Sequence, residues 1–138
     1  MPITIRPFST TDTDAVISLW KQCNLVSPKN DPVEDIRLKM EWQPEFFLIA
    51  ENENSTIVGS IMAGYEGHRG WINYLGVVPE YRKKGIATKL MEAAEKKLKT
   101  HGCPKINLQV RTSNSDVLVF YEKIGFKSDN VVGYGKRL

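Results

Sequence analysis

Three adjacent cations, Arg82, Lys83 and Lys84, stand before Gly85 at the point where a short apolar run gives way to a helical pattern. The first amides of a helix have no partner within the helix, and the helix dipole is positive at that end. A glycine there lets a ligand approach the backbone without a Cβ in the way. The spacing therefore predicts an anion site. A solvated basic turn that only reverses the chain is the alternative interpretation.

Two polar side chains further along the sequence extend this candidate site. Asn114 stands at the start of a predicted helix, and Tyr121 follows seven positions later. Seven residues are nearly two helical turns, so both side chains project from one face of that helix. The alternative is that Asn114 is a plain N-cap and Tyr121 a core aromatic residue.

The composition is that of one soluble domain. The chain has 138 residues, of which 41% are hydrophobic and 25% charged, and this length is enough to bury a core. No apolar run approaches the roughly 20 residues of a membrane span. The first ten residues lack the long apolar stretch of a secretory signal, so we predict a cytoplasmic protein with no membrane partner.

Charge and cysteine content narrow the function classes further. The net charge is only +3, and basic residues alternate with acidic ones except around Arg82, which favours a local anion site over nucleic-acid binding. Nucleic-acid binding through the three cations is kept as a weaker alternative. Cys23 and Cys103 have neither disulfide nor zinc-ligand spacing, so no metal is predicted.

Alternating strands and helices must position these residues. The hydrophobic pattern predicts the order β-α-α-β-β-β-α-β-α-β, which is an α/β fold with a mixed sheet and helices packed on it. Asp31 is the predicted N-cap of the second helix, with Pro32 at its first position and Glu34 placed to close a capping box. The last two predicted strands are "KINLQVR" and "VVGYGKRL".

Two of these stretches resemble the signatures of one enzyme family. "RKKGIA" is similar to the [QR]xxGx[GA] signature of the GCN5-related N-acetyltransferase (GNAT) family, and "YEKIGF" is similar to the C-terminal signature of that family. The resemblance covers essentially the whole chain, and stretches such as "GY.GHRG" and "GCPKI" indicate the small YpeA-like acetyltransferases in particular. It implies a single GNAT domain over residues 1–138, with a mixed central sheet of six to seven strands flanked by about four helices.

The resemblance also implies an activity. A GNAT protein of this kind is an acyltransferase that moves an acetyl group from acetyl-CoA to a primary amine of a small molecule, a peptide or a protein N-terminus, by direct transfer and without a metal. A non-catalytic CoA-binding regulatory module is the alternative. Whether two copies form a homodimer is left open.

The family pattern assigns roles to individual positions. The pyrophosphate of acetyl-CoA is expected on the loop and helix start from Arg82 to Thr88, and the pantetheine arm is expected along the preceding strand. Tyr121 matches the tyrosine that can protonate the departing thiolate, and Asn114 matches a side-chain contact to the cofactor. The implied cofactor-binding residues are Leu75, Val77, Arg82, Lys83, Lys84, Gly85, Ile86, Ala87, Thr88 and Asn114.

The general base is the position where this chain departs from the family. Some relatives carry glutamate in a stretch like "LEVR", where Gln109 stands here, and a glutamine side chain cannot take a proton. No glutamate occurs in "WINYLGVV" either. Glu66 and His68, in the glycine-rich loop before that strand, are the substitutes we predict, and an exposed loop pair without a catalytic role is the alternative.

Overall fold

The computed structural model describes residues 2–138, and their backbone contacts divide into two compact units that meet in sequence at Leu108 and Gln109. The first unit contains five strands and three α-helices. In chain order these are β1 (Thr4–Pro7), α1 (Thr13–Gln22), α2 (Pro32–Glu41), β2 (Phe47–Glu51), β3 (Ile57–Tyr65), β4 (Gly70–Val77), α3 (Ile86–Thr100) and β5 (Ile106–Asn107). The second unit contains α4 (Ser115–Lys123).

The five strands form one mixed sheet in sequence order. β1 to β4 pair as antiparallel neighbours, and β5 lies parallel to β4. A parallel neighbour needs a long crossover connection, and α3 is part of that connection. The fold is therefore the predicted α/β class with helices packed on a mixed sheet.

Helices cover both faces of the sheet. Gly59 and Ser60 are consecutive residues of β3, so their side-chain positions face opposite sides. A Cβ on Gly59 would touch Leu90 of α3 at 3.0 Å, whereas Ser60 accepts a hydrogen bond from Trp20 of α1 at 2.8 Å. Because both faces are covered, Phe47 to Ala50 of β2 are all buried, which explains the continuous apolar run of that strand.

The predicted helix patterns match the buried faces. Val16, Leu19 and Trp20 of α1 are buried, and the stripe on α3 is buried at Ile86, Leu90, Met91, Ala94 and Leu98. Asp31 caps α2 by accepting a hydrogen bond from the Glu34 amide at 3.1 Å. The Glu34 carboxylate binds Arg37 instead of returning to the cap.

Two predicted strands differ from the structure. The strand expected over "KINLQVR" contains only Ile106 and Asn107, and the expected final strand over "VVGYGKRL" does not form. Gly133 and Gly135 interrupt the tail with residues that weaken a strand, and Val131 and Val132 are largely exposed. The sheet of the described residues therefore has five strands rather than six or seven.

Candidate functional site

A bulge in β4 marks the beginning of the candidate site. Met62 pairs with Asn73 and Ser60 pairs with Gly76, so Tyr74 and Leu75 together face the single residue Ile61. Tyr74 has a φ of +52°, a left-handed conformation that is uncommon for a large side chain. An extra residue on one strand bends that strand and re-aims its side chains.

Past the bulge, the outer edge of β4 has no strand partner among the described residues. β5 pairs with β4 only at Gly70 and Trp71. The Val78 amide bonds to the Val58 carbonyl at 2.9 Å, so Val77 belongs to a non-hydrogen-bonded pair with Gly59, and its own amide and carbonyl face outward. The strand thus presents backbone groups to a ligand along this edge.

The Val77 carbonyl already has partners. Arg82 Nε donates to it at 2.9 Å and Cys23 Sγ at 3.4 Å. Of the two backbone groups of Val77, the amide is therefore the one available to a ligand. Arg82, the first of the three predicted cations, thus uses one guanidinium nitrogen for a hydrogen bond that connects the loop to β4.

The loop after β4 contains two residues in the left-handed conformation. Lys83 and Gly85 both have left-handed φ values, +62° and +80°, on either side of Lys84. Such alternation produces an anion-binding concavity of successive N–H groups. The first bond of α3 runs from the Lys89 amide to the Gly85 carbonyl at 3.1 Å, so the amides of residues 86 to 88 precede the hydrogen-bond ladder of the helix.

The space in front of these amides is open. A Cβ built on Gly85 meets nothing within 4 Å, and residues 82 to 85 are exposed. The Lys84 ammonium lies 5.5 Å from the centroid of the Tyr81 ring. Exposed cations, orphan amides and free space fit a pyrophosphate group at this helix start.

A cavity of about 620 Å³ opens beside the bulge, between α2 and the middle of β3 and β4. The Tyr74 hydroxyl lies at its wall, donating to Asp35 Oδ2 at 2.5 Å and accepting from Asn30 Nδ2 at 2.6 Å. The Tyr74 ring stacks on Trp20 with centroids 3.7 Å apart. Burial, reinforced by the Asp35 carboxylate, raises the pKa of Tyr74 to about 12, so the hydroxyl stays protonated.

Lys39 closes the inner end of this cavity. The residue is buried, and its Nζ donates to the Ala63 carbonyl at 2.5 Å. β2 ends opposite Met62, so Ala63 to Tyr65 lack a strand partner on that side, and Lys39 and the Gln43 amide supply the missing hydrogen bonds. Burial lowers the pKa of Lys39 to about 8.

The second unit contains the other two predicted residues. Asn114 is the N-cap of α4, but its side chain makes no capping hydrogen bond. Tyr121 packs edge-on against Phe126, with ring centroids 5.6 Å apart. Burial raises the pKa of Tyr121 to about 12, so at neutral pH this residue can donate a hydrogen bond but holds its proton firmly.

Comparison with known proteins identifies the family. The model of the Acetyltransferase (GNAT) family matches residues 13–126. An acetyltransferase of Yersinia pestis (strain Pestoides F) is 49% identical over 134 residues, which cover 97% of this chain and 94% of that protein. The chain belongs to the GNAT acetyltransferase family. It is therefore an acyltransferase.

Solved structures of other GNAT proteins have the same fold. The PaiA N-acetyltransferase from Thermoplasma acidophilum, in complex with coenzyme A, is 25% identical with a TM-score of 0.81, over 96% of this chain and 94% of that one. A chain of the NatC complex bound to Gag peptide and CoA is 29% identical with a TM-score of 0.77, over 92% and 86% of the two chains.

The structure does not bring the predicted bases to the open edge of this GNAT sheet. Glu66 and His68 are exposed in the turn before β4, where Glu66 Oε1 accepts from the Arg69 amide at 3.2 Å. The turn adjoins Gly70, and an extended strand rises roughly 3.3 Å per residue, so Gly70 and Leu75 are separated by roughly 16 Å. Their catalytic role stays a prediction without geometric support.

Sequence reasoning missed the polar group at the cavity wall of this GNAT protein. Asn30, Asp35 and Tyr74 meet across sequence separations of 39 and 44 residues. In the sequence, Asp35 is one of four acidic residues on or beside α2, and nothing in their spacing distinguishes it.

No helix of residues 2–138 is long and apolar enough to cross a membrane.

Proposed function

We propose that this GNAT chain transfers an acetyl group from acetyl-CoA directly to a primary amine, and that residues 1–138 form one domain for this purpose. The observation that carries the proposal is the continuous track from the unpaired edge of β4 to the open start of α3. The family match extends from residue 13 to residue 126 and so includes both units, which supports a single domain.

Each part of the track has a role in holding acetyl-CoA. The amides of Lys84 to Ala87 bind the pyrophosphate, with Lys83 and Lys84 adding charge. The backbone of Leu75 and the free amide of Val77 pair with the pantetheine arm, and Asn114, whose side chain is not used as a cap, contacts that arm. Acetyl-CoA supplies an activated acyl group as a thioester.

The chain's own groups support transfer in one step. A backbone amide at Leu75 polarises the thioester carbonyl, and the neutral amine forms its bond to the carbonyl carbon while the carbon–sulfur bond breaks. The amine then releases its extra proton to water. Tyr121 hydrogen-bonds to the departing sulfur, which receives a proton from water through that hydroxyl.

A covalent route through cysteine has no support in the geometry. Cys23 Sγ donates to the Val77 carbonyl, and Cys103 Sγ donates to the Lys105 carbonyl at 3.3 Å. Each bond uses the thiol proton, whereas a nucleophilic cysteine needs a base that removes it. Direct transfer is therefore the mechanism we propose.

The absence of a well-placed base favours acceptors with a low pKa. At pH 7, obtaining the neutral form of a lysine amine with a pKa near ~10.4 costs about 4.6 kcal/mol, whereas an α-amine with a pKa near ~8 costs about 1.4 kcal/mol. An α-amino group or a small amine of similar pKa is thus the better acceptor. The NatC chain, whose structure holds Gag peptide and CoA, supports a peptide as one source of such an amine.

Thiol release from acetyl-CoA tests this function. The purified chain is incubated with acetyl-CoA and with peptides, polyamines and amino acid derivatives in turn, and free CoA is measured over time. We expect release that depends on the amine and is faster for α-amines than for lysine side chains at pH 7. Acetyl-CoA binding with no release on any amine would instead support a non-catalytic CoA-binding module.

A further inference from the structure

The cavity beside the β4 bulge has a polar end and an apolar end. At the polar end, Asp35 lies within hydrogen-bonding distance of Tyr74, which Asn30 also contacts. At the apolar end, Leu38 and Trp42 line the cavity yet remain 49% and 67% exposed. Large apolar side chains left in water at a cavity wall favour an apolar ligand, since covering them is worth roughly 25 cal/mol per Å².

The charge in the cavity comes from Asp35. Of its two carboxylate oxygens, only Oδ2 has a hydrogen-bond partner among the residues that the structure describes. The other charged residue at the wall, Lys39, is buried with its Nζ on the Ala63 carbonyl. The neighbouring carboxylate, Glu34, is already paired with Arg37. The cavity therefore offers one accessible anion to a ligand.

Tyr74 connects this cavity to the open edge of β4. It belongs to the bulge and immediately precedes Leu75, the first residue of the edge assigned to acetyl-CoA. Its conformation is fixed on three sides, by the stack on Trp20, by the hydrogen bonds to Asn30 and Asp35, and by Ser60 Oγ on its carbonyl at 2.8 Å. Asp35 is thus separated by one tyrosine side chain from the edge of β4 where the acyl group is expected.

We propose that this cavity selects the acceptor as an α-amine attached to an apolar side chain, with Asp35 binding its ammonium form and Leu38 and Trp42 contacting the side chain. The proposal rests on the acetyltransferase function proposed above. Asp35 acts in binding rather than in proton removal, because a carboxylate stabilises the ammonium form. The neutral amine forms by loss of a proton to water, which an α-amine with a pKa near ~8 achieves readily at pH 7 to 8.

Three small probes separate the two ends of the cavity. Phenylalaninamide carries both the α-amine and the apolar side chain, 3-phenylpropanamide lacks only the amine, and glycinamide lacks only the benzyl side chain. Binding to the full chain is measured by NMR titration, with and without saturating CoA. We expect phenylalaninamide to bind at least tenfold more tightly than either partial probe, and equal binding of all three would overturn the proposal.

Matched variants on and directly after α2 identify the residues responsible. Asp35→Asn should weaken phenylalaninamide about tenfold and leave 3-phenylpropanamide unchanged, whereas Glu34→Gln should alter neither. Trp42→Ala should weaken both ring-containing probes several-fold, whereas Val33→Ala, which removes an exposed apolar side chain outside the cavity wall, should not. Unchanged affinities in Asp35→Asn and Trp42→Ala would sink the assignment.

Turnover separates failure of this inference from failure of the proposed function. Asp35→Asn should raise the KM for phenylalaninamide about tenfold with kcat unchanged, because the nitrogen regains positive charge as it attacks the carbonyl carbon and Asp35 therefore stabilises the bound amine and the transition state equally. If phenylalaninamide binds with the expected pattern but is never acetylated, the function is wrong and the cavity assignment stands. If amines are acetylated without preference for an apolar side chain, the cavity assignment is wrong. The tripeptide amide Phe-Gly-Gly-NH₂ distinguishes two sources of the α-amine. If the acceptor is a peptide N-terminus, the tripeptide amide should bind more tightly than phenylalaninamide. If the acceptor is a free amino acid derivative, it should not.

Discussion

At the scale of single residues, Tyr121 is the sharpest test of catalysis. Tyr121→Phe keeps the ring and its packing against Phe126 but removes the hydroxyl that we propose supports the departing sulfur. Because its pKa of about 12 prevents full proton transfer, we expect kcat to fall by only about 10²-fold, with acetyl-CoA affinity unchanged. Steady-state kinetics and calorimetry measure the two quantities. Tyr134→Phe, in the exposed tail, is the control, and an unchanged kcat in Tyr121→Phe would leave that residue a packing role alone.

Lys39 gives a residue-scale prediction about stability. Its folded pKa is lowered to about 8 from 10.5, so between pH 8 and 10.5 the unfolded chain binds a proton that the folded chain has released. Stability contributed by this group therefore rises with pH across that interval, by up to about 3 kcal/mol. Urea unfolding at pH 7, 8, 9 and 10 should show this rise in the parent relative to Lys39→Met. Lys99→Met, at an exposed position, should follow the parent, and parallel pH profiles for the parent and Lys39→Met would contradict the assigned shift.

At the scale of elements, the two ends of α3 offer a matched pair. Gly85 and Gly102 both have left-handed φ values, +80° and +84°, and a Cβ on either meets nothing within 4 Å. Alanine at either position should cost about 1 kcal/mol of unfolding free energy through backbone strain. Only Gly85→Ala should also weaken acetyl-CoA binding, and Gly85→Glu should abolish it because a carboxylate then faces the phosphates. Calorimetry on all three variants checks this, and equal acetyl-CoA affinity in Gly85→Glu and the parent would place the cofactor elsewhere.

At the scale of the whole molecule, we expect one cooperative unit. The second compact unit contains only thirty residues, 109 to 138, fewer than a chain usually needs to fold without disulfides or metals. It should therefore unfold together with the first unit. A urea titration followed by amide NMR should give the same midpoint for α3 and α4. Loss of the α4 signals at a lower urea concentration would show that residues 1–138 are not a single domain.

The sequence by itself determined the helices, the first four strands and the family. Apolar spacing of 3.6 residues predicted the helices, because one stripe of each must face the sheet, as Leu90 and Leu98 do. The glycine before α3 and the cations around it predict an anion site, because a helix start and adjacent charges are features of neighbouring residues. Local chemistry of this kind is readable from neighbouring residues, and the family signature lies in just such a stretch.

Only the tertiary structure decided which residues that are distant in the sequence contact one another. The bulge at Tyr74 depends on its pairing with β3. β5 pairs with β4 only at Gly70 and Trp71, so the predicted strand over residues 105–111 was too long. The hydrogen bonds of Tyr74 to Asn30 and Asp35 exist because the sheet brings α2 to the bulge. Hydrophobic periodicity specifies which face of an element is buried. It does not specify which polar side chain of one element meets which of another, and in this protein that contact shapes the cavity.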